Sequence, residues 1–130
     1  MDNKTIARNF YEAINAGKLD IIDEVVAENF VEHEEFPGLA SGRDGLRQFF
    51  QMVRAAFPDF SMTIEDIVAE GDKVFIRATM RGTHRGEFAG MPPKGHQMVV
   101  PFADIVRLSG GKVVEHWGVT DSGAMMRQLS

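Results

Sequence analysis

Cysteine is absent from the sequence, which excludes disulfides, a thiolate nucleophile and any thiolate metal site, and leaves no redox compartment to be read from cysteine pairing. A surplus of positive charge is missing too. The formal net charge is -5 at pH 7, so there is no basic patch for nucleic acid and no polybasic segment for a membrane surface. Neither partner is expected. No run approaches the ~20 apolar residues of a membrane span, and Met1-Asp2-Asn3-Lys4-Thr5 lacks the apolar core of a signal peptide. The expected location is the cytoplasm. Tyrosine and tryptophan occur once each against 10 phenylalanines, which suggests a greasy interior.

What remains is an ordinary globular composition, with 44% hydrophobic and 25% charged residues in 130. A chain of this length buries about two-thirds of the surface its unfolded form exposes, so one domain spanning 1–130 is expected. No internal repeat, low-complexity tract or linker interrupts it.

The first half has helical periodicity. Ile6, Phe10 and Ile14 share one stripe between Asn3 and Ala16, with Ala7 and Tyr11 beside it and Gly17 as a stop. Leu19, Ile22 and Val26 outline a shorter helix from about Asp20. Ser41-Gly42-Arg43-Asp44 precedes a third, carrying Leu46, Phe49, Phe50 and Val53 and ending before Pro58. From Phe60 the period becomes two: Phe60, Met62 and Ile64 alternate with polar residues, as do Val74, Ile76, Ala78 and Met80 with theirs. Glu70-Gly71-Asp72 and Ser109-Gly110-Gly111 are hairpin-type turns between antiparallel neighbours. Helices followed by a run of strands predict an α+β layer pair.

The chemistry concentrates between Gly82 and Asp121. Alternation along Lys112-Val113-Val114-Glu115-His116-Trp117-Gly118-Val119-Thr120-Asp121 projects Trp117, Val119 and Asp121 to one side and His116 to the other. A carboxylate ending an apolar wall has its pKa pushed upward, which suits proton transfer near neutral pH. Standing before Ser122-Gly123-Ala124-Met125-Met126, Asp121 is equally a helix N-cap. Asp104 lies mid-strand on one face with Phe102, Val106 and Leu108, where a carboxylate must be paired, protonated or turned to a wet cavity. It either shares the pocket with Asp121 or forms an ion pair with Arg77 or Arg81. Tyr11 is a core aromatic whose hydroxyl can reach the pocket as an oxyanion donor. His33, after Phe30-Val31, lines the entrance or lies on the surface. The four histidines, His33, His84, His96 and His116, include no pair at the i, i+4 spacing of local zinc motifs, and no phosphate-cradling glycine loop precedes a helix. No metal, nucleotide or other cofactor is expected.

Gly82-Thr83-His84-x-Gly86-x-Phe88-x-Gly90-x-Pro92-Pro93, followed by Gly111-Lys112-Val113-Val114-Glu115-His116-Trp117 and an Asp four residues after the Trp, resembles the SnoaL-like polyketide and ester cyclases of the NTF2-like superfamily. The likeness runs from the helix containing Phe10-Tyr11 through Asn29-Phe30-Val31-Glu32-His33 to Met125-Met126-Arg127-Gln128-Leu129. It departs at Lys94-Gly95-His96-Gln97, where the family more often has Thr-Gly-Lys-Arg. The resemblance implies an NTF2-like cone: N-terminal helices on a curved, mainly antiparallel sheet around an apolar pocket.

It also implies that Asp121 is the general acid/base. The residues expected with it are His84 and Asp104 for catalysis, and Tyr11, His33, Phe50, Trp117, Phe102 and Met91 around the substrate. The expected activity is cofactor-independent intramolecular aldol ring closure of a polyketide-like molecule, in a homodimer paired sheet to sheet. The rivals are an isomerase or epoxide hydrolase with a similar pocket, and a non-catalytic NTF2-like domain that binds a small molecule.

Overall fold

The computed structural model describes residues 1–34 and 36–130. Helix α1 (Asn3–Asn15) starts where the Asp2 carboxylate accepts from the Thr5 backbone N–H at 2.8 Å. It buries Ile6, Ala7, Tyr11 and Ile14 as one stripe, at the spacing expected of an amphipathic helix. Helix α2 (Ile21–Val25) is short and runs directly into strand β1 (Val26–Glu32). Helix α3 (Gly42–Ala56) buries Phe50, Val53 and Ala56 and ends at Phe57, ahead of Pro58.

Four strands follow: β2 (Ser61–Glu70), β3 (Lys73–Thr83), β4 (Gln97–Ser109) and β5 (Lys112–Thr120), and then helix α4 (Ser122–Leu129). The sheet order is β1-β5-β4-β3-β2, antiparallel except where β1 lies parallel to β5. Both predicted hairpins form. Gly71 closes the first with φ 61°, and Gly110 and Gly111 close the second with φ 58° and 79°, backbone that favours glycine.

The helices and the inner face of the sheet enclose the core. Phe57, Ile14, Ile22, Ile76, Met98 and Leu129 are among its largest fully buried side chains. Strands β3 and β4 pair without a register shift, so Val74, Ile76 and Ala78 lie opposite Val106, Asp104 and Phe102, on the core side with Met98, Val100 and Leu108. The outer face leaves Phe75, Val99, Ile105 and Val119 exposed. This is the α+β cone that the resemblance implies. Among the described residues, no helix is long and apolar enough to cross a membrane.

Two features differ from the periodicity. Val26, which helical spacing groups with Leu19 and Ile22, instead opens strand β1, whose pattern is obscured because Glu28 and Asn29 interrupt its alternation and its partner lies more than eighty residues along the chain. Strand β5 carries a bulge: Leu108 pairs with Val113 but Arg107 pairs with Glu115, so Val114 is an extra residue. One inserted residue exchanges the two faces of everything beyond it. His116 and Thr120 therefore face inward, and Trp117 and Val119 outward.

Candidate active site

A cavity of about 540 Å³ lies between the helices and the sheet. Its wall is mostly aromatic and aliphatic, including Phe10, Phe30, Phe49, Phe50, Phe88 and Phe102. That size and character suit a small organic ligand. One side is polar, where Glu32, Glu34, Asp104, His116, Tyr11 and Thr120 converge.

Register explains the convergence. Glu32 on β1 pairs with His116 on β5, and Asp104 on β4 pairs with Gly118, so inward side chains of three adjacent strands meet. Tyr11 approaches from α1, its ring parallel to Phe102 at 6.4 Å between centroids. The Tyr11 hydroxyl donates to Asp104 Oδ2. His116 Nε2 is 2.7 Å from Asp104 Oδ1, and Nδ1 is bonded to Glu32 Oε2. The imidazole is thus held at both nitrogens by carboxylates, and Asp104 is held at both oxygens.

Charge follows from this geometry. Three carboxyl groups line the cavity, and no Lys or Arg lines it among the described residues. His116 is the available counter-ion. Burial by itself would lower its pKa, but the hydrogen bonds it donates to Asp104 and Glu32, with their charges, outweigh that and push it up to about 10. His116 is therefore an imidazolium at neutral pH and donates both N–H groups. Burial, and then the neighbouring Asp104 charge, push the Tyr11 phenol well above its ordinary value, so it stays a donor. The Glu34 carboxyl, bonded at Oε2 by the Thr120 hydroxyl at 3.0 Å, is pushed upward chiefly by burial, against the lowering effects of Thr120 and His116.

Glu34, Asp104 and His116 each offer an atom within 4.8 Å of the others, the spacing of a divalent-cation site. In the arrangement seen, Asp104 and His116 are bonded to each other and Glu34 to Thr120.

Of the residues singled out in the sequence, Tyr11, Phe50, Met91, Phe102 and Asp104 line this cavity. Asp104 is not paired with Arg77 or Arg81: Arg77 binds Asp66 at 2.7 Å and Arg81 binds Thr63. Four others lie elsewhere. Asp121 is exposed and caps α4, its carboxylate accepting from the Ala124 N–H at 2.9 Å, because β5 ends at Thr120 and the chain turns into the helix.

Trp117 is on the outer face, stacked on His33 at 4.9 Å, with the Lys73 ammonium 5.7 Å from its centroid. The bulge at Val114 accounts for this. His33 is exposed and bonded to Glu115 at 2.9 Å, because it alternates with the inward-facing Glu32. His84 is fully buried, stacked on Phe57 at 5.2 Å. Phe57 lines the cavity and His84 does not. Simple alternation puts His116 on the face away from the pocket, and the bulge at Val114 turns it into the cavity instead; Glu32 and Glu34 are site residues that carry no role in the sequence reading. The signal for the two glutamates is the period-two series Phe30, Glu32, Glu34, an apolar residue and two acids on one side of an extended segment.

An acid, a base and a cation grouped at one wall of an apolar cavity are the parts of proton-transfer catalysis. The model of the SnoaL-like polyketide cyclase family matches residues 4–129. This chain belongs to that family. It is 26% identical over 120 residues to the nogalonic acid methyl ester cyclase of Streptomyces nogalater, covering 90% of this chain and 89% of that protein. Among solved structures it resembles TsrD from Streptomyces laurentii, with a TM-score of 0.90, 27% identity and coverage of 100% of this chain and 98% of that one. It also resembles IdmH from Streptomyces antibioticus, with a TM-score of 0.83, 36% identity and 96% of both chains covered. In this SnoaL-like cyclase, Asp104, His116 and Tyr11 form one bonded group at the polar wall of the cavity.

Proposed function

We propose that this protein closes a ring in a polyketide-type ester by an intramolecular aldol reaction, without a cofactor, and that Asp104 is its acid/base. The observation that carries this reading is the Asp104 carboxylate at the wall of an aromatic cavity, held by Tyr11 on one oxygen and by the His116 imidazolium on the other. Asp104 takes a proton from the activated carbon of the folded substrate. As it does so, negative charge moves to the enolate, and the Nε2–H of His116 is released from Asp104 to the enolate oxygen. A fixed cation in a water-poor cavity is most effective where charge develops in the transition state. Tyr11 and Glu32 act through others: Tyr11 orients Asp104, and Glu32 holds the His116 ring in place. The aromatic wall keeps the substrate folded, so the two reacting carbons meet without further loss of freedom.

Aldol closure conserves mass. Incubating the protein with nogalonic acid methyl ester should give a ring-closed isomer of unchanged mass, and recovery of only open ester after prolonged incubation contradicts the proposal.

We further propose that two copies pair through the outer face of the sheet. Phe75, Val99, Ile105 and Val119 are exposed there on three neighbouring strands, with Val119 74% accessible. Apolar side chains exposed on one sheet face favour an isologous contact.

A further inference from the structure

Glu34 follows β1 by two residues and enters the cavity on the same side as Glu32. Its seat exists because residue 118 has no side chain. A Cβ on Gly118 would lie 2.2 Å from Glu34 Oε1 and 2.9 Å from His116 Cε1, well inside van der Waals contact. The carboxyl thus occupies the space that a side chain on β5 would fill, opposite Asp104 in register. Thr120 anchors its other oxygen.

The one cation there is already outnumbered. The His116 cation is shared by Glu32 and Asp104, each directly bonded to it. A third anion, with an oxygen within 4.8 Å of Asp104, would meet one carboxylate without a cation of its own, and that repulsion is large in a half-buried site. A neutral acid in the same place meets none of it.

We propose that Glu34 is the proton donor of the ring closure, resting as the neutral acid in the space left by Gly118 and protonating the new alkoxide. The role rests on the aldol reading above and divides the proton work between two carboxyl groups. Asp104 takes the proton from carbon, and the C–H electron pair becomes the enolate. The enolate carbon then bonds to the carbonyl carbon, whose π pair moves to oxygen. Glu34 gives its proton to that oxygen and is left as the carboxylate. The proton on Asp104 returns to Glu34, directly or through water, and nothing is consumed. The upward push of burial on the Glu34 carboxyl agrees with such a resting state.

The test runs ring closure of nogalonic acid methyl ester in D₂O with the full chain, its Asp104→Asn variant and its Glu34→Gln variant. Glu34→Gln should let the ester acquire deuterium at the activated carbon while closure falls about 10²-fold, the size of one proton-transfer contribution. Asp104→Asn should lose both. Closure at the wild-type rate in Glu34→Gln overturns the donor role and leaves the aldol reading standing. Neither exchange nor closure in the wild type overturns the aldol reading itself, and the donor role with it. A second readout is independent of turnover. In ¹³C-carboxyl spectra of glutamate-labelled protein, the resonance missing from Glu34→Gln should still be protonated after the exposed glutamates have ionised. Ionisation together with them overturns the proposal.

Discussion

The imidazole of His116 lies 2.7 Å from the Asp104 carboxylate while its second nitrogen is bound by Glu32, so one cation serves two acids inside an apolar cavity. That relationship sets the protonation of the site, and it makes stability depend on pH in a definite direction.

The folded His116 pKa is raised from 6.5 to about 10, so between those values the folded protein binds a proton that the unfolded chain does not. Its contribution is fully present below about pH 6.5 and is lost as pH rises through about 10. The thermal midpoint of the wild type should therefore fall across that window. In His116→Gln the fall should be much shallower, and equal slopes in the two proteins would show that His116 is not held as a cation.

Tyr11→Phe removes one of the two hydrogen bonds to Asp104 and keeps the ring that lies over Phe102. Ester binding should persist, with kcat reduced about 10-fold, less than the roughly 10²-fold expected for losing the proton-transfer group itself. Steady-state kinetics separate the two parameters. A change confined to KM would assign Tyr11 to binding alone.

The outer sheet face gives a prediction about assembly. Ile105→Asp places a charge between Phe75 and Trp117 on the outer face and should leave the fold intact while dissociating the pair. Sedimentation of the wild type as a 14.5 kDa species at micromolar concentration would contradict the pairing before any variant is made.

Much of this architecture is legible from local pattern. The stripe Ile6, Phe10, Ile14 gives α1 and places Tyr11, and the glycines at 71, 110 and 111 give the hairpins. Unbroken alternation along β4 puts Asp104 with Phe102 and Val106, all three of which line the cavity. What stayed hidden depends on non-local pairing. The bulge at Val114 arises where β5 must satisfy β4 and β1 together, and it exchanges His116 for Trp117 at the cavity wall. Glu32 and Glu34 become site residues only because β1 joins the sheet beside β5, a parallel pairing that no turn signal announces.

Asp121 separates local from functional reading. It resides at the N-terminus of α4, and Asp121→Ala should lower stability by about 1 kcal/mol, the usual effect of losing an N-cap. Chemical denaturation measures this. No loss of stability would mean that the cap bond contributes little and that Asp121 has another purpose.

The most direct test of the account is the rate of ring closure of nogalonic acid methyl ester by Asp104→Asn and Asp121→Asn, measured side by side against wild type. Asparagine keeps the size of each carboxylate and removes its proton exchange. The account predicts a fall of roughly 10²-fold or more for Asp104→Asn, with near wild-type turnover for Asp121→Asn. Full activity in Asp104→Asn with a collapse in Asp121→Asn would contradict it and return the acid/base role to the residue at the end of β5.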